Sequence, residues 1–293
     1  MTEAPINLLN EQSIWSRNGR KSLLRQYLTI INISFNRYLF TRYMWVLLGM
    51  AGLPVFISGI YCVRMLAMYG YASDQVPGML NEVFQTLFRT LYIHFIIFFI
   101  ANIFGFSLLR KEVDDRTLHY LFLQPVRKTT VILSKYIGFL GITWVVLCVT
   151  LLLTYFLFQI PYGVKSLFVD LFQKGRALTL IQECFIMLVA LAMYGAFSMV
   201  MGSIFKTAWY GLIFYLWETG LPYLPSTMKF FTISHYLQSL TPEKSAIPKK
   251  MFELYGEMPS PLRCWITLLV VLAVLIGITV FLIRHYECKY TSA

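Results

Sequence analysis

Residues 110–130 read RKEVDDRTLHYLFLQPVRKTT, a run with eight charged side chains and a proline. An apolar block flanks it on each side, LYIHFIIFFIANIFGFSLL (91–109) before and VILSKYIGFLGITWVVLCVTLLLTYFLF (131–158) after. Apolar blocks of about 20 residues match the roughly 30 Å hydrocarbon core of a bilayer at 1.5 Å rise per helical residue. The polar run therefore lies outside the bilayer, between two membrane-crossing helices.

Composition extends that reading to the whole chain. Of 293 residues, 58% are hydrophobic, 17% aromatic and only 13% charged, with a mean hydropathy of +0.64. A soluble domain carries about 25% charged residues. Backbone groups in lipid must be satisfied within their own segment, so spans this long and apolar are helical, and the chain is an all-α polytopic membrane protein. A net charge of +11 suits contact with anionic lipid headgroups. No soluble domain offers a basic face, which argues against nucleic acid as a partner. Cys62, Cys148, Cys184, Cys264 and Cys288 show neither CxxC nor His-paired spacing and read as small apolar packing residues. The first 40 residues are polar and basic, without a short apolar core and a small-residue cleavage site, so the first span is expected to direct insertion.

Six spans are expected, at 43–63, 91–109, 131–158, 178–205, 208–224 and 263–283. An even number puts both termini on one side. Placing them in the cytoplasm gives that side 15 of the 25 basic residues, as the positive-inside rule favours. Residues 43–293 then form one six-helix domain of the cytoplasmic membrane, preceded by a cytoplasmic N-terminus, 1–42. Within that N-terminus Leu24, Tyr27, Ile31, Phe35 and Tyr38 fall on one side of a helix and Arg25, Thr29, Asn32 and Asn36 on the other. Such a helix lies in the interface plane, or else extends the first span into the cytoplasm.

The fifth span, AWYGLIFYLWETGLPYLP (208–225), places Glu218 roughly 15 Å deep, near the bilayer middle. Pro222 and Pro225 remove helical hydrogen bonds just beyond it. STMKFFTISHYLQSL (226–240) is too short to cross and too apolar for a free loop, and reads as a re-entrant or interfacial external helix. A polar, proline-punctuated external loop follows, 241–261.

Chemistry-bearing motifs are scarce. The chain has no GxxxxGK[ST] phosphate loop, no HExxH and no clustered His/Cys/Asp set, so neither a nucleotide site nor a catalytic metal is expected. Ser107 or Ser203 with His235 lacks the GxSxG context of a hydrolase. Glu218 and Glu183 are the notable intramembrane ionisable groups, each costing about 2.5–3.5 kcal/mol on insertion scales, so each should face protein or a water-filled space rather than lipid. Either a structural hydrogen bond or contact with a substrate would account for them. Arg64 and Arg89 are placed at external span ends, where snorkelling explains them.

The opening run has its own logic. Glu112, Asp114 and Asp115 suit a helix start, where the dipole is positive. Glu112 and Arg116 pair at i, i+4. Leu118, Leu121 and Phe122 make an apolar patch, and Pro125 stops the helix before Arg127 and Lys128 return it to the headgroups. A short amphipathic cytoplasmic helix is expected over 112–123, tied at both ends to long spans. A plain loop would need neither the acids, nor the apolar face, nor the proline stop.

The string EVDDRTLHYLFLQPVRKTTVILSKY (112–136) resembles the motif of type-2 ABC (ATP-binding cassette) transporter permeases, at Glu112, Arg116, Thr117, Leu118, Pro125, Val126, Arg127 and Lys135. YLWETGLPYLPSTMKFFTISHYLQSL (215–240) is similar to the family's fifth span, with its tryptophan–glutamate pair and re-entrant segment. Asp115 and Gln124 depart from the common pattern. The resemblance implies a permease that has no catalytic site of its own. Two such subunits, identical or different, form the pathway, and two cytoplasmic ABC ATPases bind ATP and Mg. It also implies that the helix between spans two and three docks on the ATPase through Glu112, Asp115, Arg116, Thr117, Leu118, Leu121 and Phe122, and that export is the direction. Members of the family move lipids, lipid-linked glycans, peptides, drugs or ions, and the cargo stays open here. A membrane-embedded enzyme acting on lipid or peptide, and a non-transporting regulatory subunit, are the alternative readings.

Overall fold

The computed structural model describes residues 42–69, 78–114, 128–163, 167–173, 175–205, 207, 209–220, 230–241 and 260–284, and among them it is helical with no strand. We label the helices α1 (Arg42–Tyr69), α2 (Gly78–Leu87, Phe88–Ile97 and Phe98–Asp114, continuous), α3 (Lys128–Gln159), α4 (Arg176–Ile204), α5 (Tyr210–Gly220), α6 (Ile233–Leu240) and α7 (Pro261–Arg284). Five of them, α1, α2, α3, α4 and α7, are long and apolar enough to cross a membrane. The all-α polytopic fold read from composition is thus the fold observed.

Three sequence expectations need correction. The second span was placed at 91–109, yet the apolar helix runs Leu80–Leu108, within a helix that begins at Gly78. Glu82, Gln85 and Arg89 make its first turns look like loop, but Gln85 and Arg89 are buried against neighbouring helices, so their polarity is absorbed by protein. Arg89, expected to snorkel, is accordingly packed inside the bundle. The helix expected over 112–123 does not begin at Glu112. Residues 112–114 instead continue α2, and residues 115–123 lie outside the described residues. Of the fifth span, expected at 208–224, Tyr210–Gly220 is helical, while 208 and 221–224 lie outside the described residues. The N-terminal amphipathic segment lies outside the described residues, as does the external loop over 242–259.

The spans alternate in direction. At one end of the bundle the C-terminus of α1 meets that of α3 through the Tyr61 and Tyr162 hydroxyls, 3.2 Å apart, and the start of α2 meets the start of α4. We call this the distal end, because the connection 115–127 joins the opposite ends of α2 and α3. The core is aromatic and aliphatic, with Tyr92, Phe88, Phe139, Tyr155 and Tyr194 all but closed to the surroundings. The outward faces of α1 and α7 carry Trp45, Phe56, Val63, Leu269 and Val270 exposed, as expected for side chains solvated by lipid tails.

Away from the distal end, the second half of α2 lies against α4 closely enough to require glycine. A Cβ on Gly105 would stand 2.8 Å from the Ser198 Cβ and 3.0 Å from the Gly195 carbonyl oxygen. One on Gly202 would stand 2.9 Å from the Phe106 carbonyl oxygen. Apolar side chains gain little by leaving lipid for a helix interface, so association in membranes rests on close van der Waals packing of small residues. Gly49 and Gly59 of α1, by contrast, have nothing within 4 Å of an added Cβ. Gly202→Ala is expected to destabilise the bundle by about 1–3 kcal/mol through overpacking, and Gly59→Ala by less than ~0.5 kcal/mol. Detergent-titrated unfolding of the two variants beside the parent checks the difference.

Candidate functional site

Polar groups inside the described bundle gather at the distal end, where three helices each contribute from the same level. On α2, Gln85, Arg89 and Tyr92 are all buried within the bundle. On α4, Arg176 opens the helix and Glu183 sits two turns further on the same face. On α3, Thr154, Tyr155 and Gln159 close the layer, and the short π-helical turn Val169–Gln173 supplies Asp170. All seven of the polar or charged groups other than Tyr92 and Tyr155 are deeply buried, with Glu183 fully enclosed and Arg176 only 3% exposed.

The contacts explain how such groups are accommodated. Arg176 Nη2 donates to Glu183 Oε1 at 3.2 Å, and Gln85 Nε2 donates to the same oxygen at 2.5 Å. The Arg176 guanidinium also lies over the rings of Phe84 (5.2 Å) and Tyr155 (5.8 Å), a cation–π arrangement that strengthens when water is absent. Tyr155 donates its hydroxyl to Asp170 Oδ2 at 2.8 Å, and Gln159 Nε2 reaches the same oxygen at 3.2 Å. The Tyr92 and Thr154 hydroxyls are 3.0 Å apart and bind α2 to α3. The layer therefore welds α2, α3 and α4 together at one end by charge-assisted and aromatic contacts rather than by apolar packing alone.

A second construction stands beside it. Glu218, near the end of α5 and 2% exposed, accepts the backbone N–H of Ile233 at Oε1 (2.9 Å) and that of Ser234 at Oε2 (3.0 Å). These are the first two amides of α6, which no intrahelical carbonyl can satisfy, and the dipole there favours a negative partner. Glu218 thus caps α6 from a different helix. Gln238 of α6 has its amide nitrogen 2.8 Å from His94 Nε2 on α2, and Ser239 Oγ is 2.9 Å from the Cys264 sulfur on α7. One eight-residue helix is held by three separate elements.

Of the residues singled out from sequence, Glu183 and Glu218 are both buried against protein, 35 positions apart in the chain and in separate constructions. Glu112 has a helical backbone at the end of α2, while Asp115, Arg116, Thr117, Leu118, Leu121 and Phe122 lie outside the described residues. Arg176, Asp170, Gln85, His94 and Gln238 escaped sequence reasoning. Spacing carried part of the signal, since Arg176 and Glu183 are seven apart and Gln85 and Arg89 four apart. No periodicity pairs His94 with Gln238, which are 144 positions apart. Among the described residues no group of three or more His, Cys, Asp or Glu could hold a metal ion.

Compared with known proteins, residues 23–283 match the family model described as ABC-2 family transporter protein. No curated protein matches the chain significantly.

Removing one member of the buried ion pair leaves the other charged and without its counter-ion, so Arg176→Met is expected to destabilise the protein by about 3–5 kcal/mol. The double replacement Arg176→Met with Glu183→Met is expected to lose less than Arg176→Met alone, because no orphan charge remains. Glu218→Leu, which strips two amides of their acceptor, is expected to cost about 2–5 kcal/mol. Thermal unfolding of the purified variants in one detergent measures all three.

Proposed function

The chain belongs to the ABC-2 transporter family, and on that premise we propose that it is one half of an ATP-driven exporter of the cytoplasmic membrane, with both termini in the cytoplasm. A member of this family is the membrane-embedded permease subunit of an ABC transporter and works with ABC ATPases. On the proposed reading two permease subunits, identical or different, enclose the pathway. Two cytoplasmic ATPases bind ATP and Mg, which this chain does not, and the distal end faces outward.

The observation that carries the reading is the extent of the family match, which takes in the spans and the polar run 110–130. The course of α2 supports it mechanically. Gly78–Asp114 is a continuous helix of 37 residues, roughly 50 Å long. It delivers Glu112 at its end, beside the string that resembles the family's ATPase-docking motif. A displacement applied to 112–123 moves α2 as a rod, and α2 carries the movement to the distal polar layer. Glu112, Asp115 and Arg116 would contribute the charged contacts of docking, Leu118, Leu121 and Phe122 the apolar ones, and Thr117 the turn between them.

Charge reversal tests the docking directly. Glu112→Lys combined with Asp115→Lys is expected to weaken co-purification with the cognate ATPase at least tenfold, about 1.4 kcal/mol, and to abolish the stimulation of ATP hydrolysis by the permease. Unchanged association and stimulation would remove 112–123 as the docking segment.

A further inference from the structure

Three anchors fix α6, and they differ in what they attach it to. Glu218 belongs to α5, the described helix before α6 in the chain, and Cys264 to α7, the described helix after it. Those two contacts join chain neighbours. His94 belongs to α2, 144 positions away, and α2 is the helix that ends at the proposed docking string.

The chemistry of the His94 contact is set by its partners. Nδ1 lies 2.9 Å from the carbonyl oxygen of Arg89, which can only accept, so Nδ1 carries the proton. Nε2 of the neutral ring is then an acceptor, and the Gln238 amide donates to it at 2.8 Å. The ring is thus held from both sides, by its own helix and by α6. Its bond to Arg89 reaches five residues back, inside the π-helical stretch Phe88–Ile97. Single π turns within α-helices are frequent at functional sites, because they re-aim side chains and alter how a helix moves. Five residues of that stretch, Phe88, Tyr92, Ile93, Ile96 and Ile97, are fully enclosed, so it moves only together with its neighbours. Arg89 within it and Gln85 just before it enter the distal polar layer.

We propose that His94 and Gln238 form the joint through which displacement of α2 is passed to α6, making His94 a positioning residue for the distal side of the transport pathway. The inference rests on the ATP-driven reading above. Glu218 and Cys264 keep α6 seated whichever way α2 stands, and the His94 bond makes its position depend on α2. The two functions are separable by substitution.

The test uses the full permease–ATPase complex in lipid nanodiscs and follows backbone hydrogen exchange over 233–240, without nucleotide and after trapping with ATP and orthovanadate. His94→Gln sets an amide oxygen where Nε2 stood, and His94→Asn keeps only the donor toward Arg89. Parent and His94→Gln are expected to show a change in exchange over 233–240 on trapping, and His94→Asn to lose it. All three should change within α2, hydrolyse ATP at similar rates and exchange alike over 233–240 without nucleotide, since the Glu218 cap is intact. A merely structural bond would instead raise exchange in the nucleotide-free state. Gln238→Leu removes the same contact from the other side, is expected to lose the same response, and decides the matter if His94→Asn does not fold. A parent-like response in His94→Asn or Gln238→Leu overturns the joint. No response to trapping anywhere in the parent overturns the ATP-driven reading and the joint with it.

Discussion

A carboxylate taken out of water must have its lone pairs filled by protein, and two buried glutamates organise this molecule by meeting that demand in different ways. Glu183 does so with side chains, gathering Arg176 from its own helix and Gln85 from α2. Glu218 does so with backbone, taking the two leading amides of α6. Neither helix contact depends on apolar burial, which contributes little to specificity where the solvent is itself hydrocarbon. Remove the carboxylates, and α2 would lose its register on α4 and α6 its seat on α5.

The two ends of the bundle consequently hold together by different physics. Away from the distal end, Gly105 and Gly202 let backbone approach backbone, and the contact is made of dispersion. At the distal end directional bonds dominate. A dispersion contact tolerates small sliding, whereas a bonded one gives way only by exchanging partners.

Much of this fold is legible in the sequence, and the shortfalls share a cause. Runs such as 131–158 and 178–205 announce themselves because every face of the helix is apolar, and the observed spans Val131–Tyr162 and Arg176–Ile204 differ only at their ends. The start of α2 is missed because Gln85 and Arg89 read as solvent-exposed until Glu183 and the α4 surface are brought against them. Glu218 is flagged by depth alone, but the amides it binds carry no sequence signature. His94 and Gln238 look ordinary, since a hydrogen bond across 144 positions depends on how the spans are stacked. Hydropathy reports what a segment is dissolved in, and it says nothing of which segment answers it.

The π-helical stretch Phe88–Ile97 also sets the azimuth of everything before it. A π turn accommodates roughly one more residue than an α turn, so a run of ten rotates the preceding helix well away from where uninterrupted α geometry would leave it. Gln85 points at Glu183, and Gly105 at Gly195 and Ser198, only because of that phase offset between the two halves of one rod. Were the stretch to tighten into α geometry, the front half would swing its polar face away from α4 while the rear half stayed in place. The widened coil thus fixes the phase between the two halves of α2.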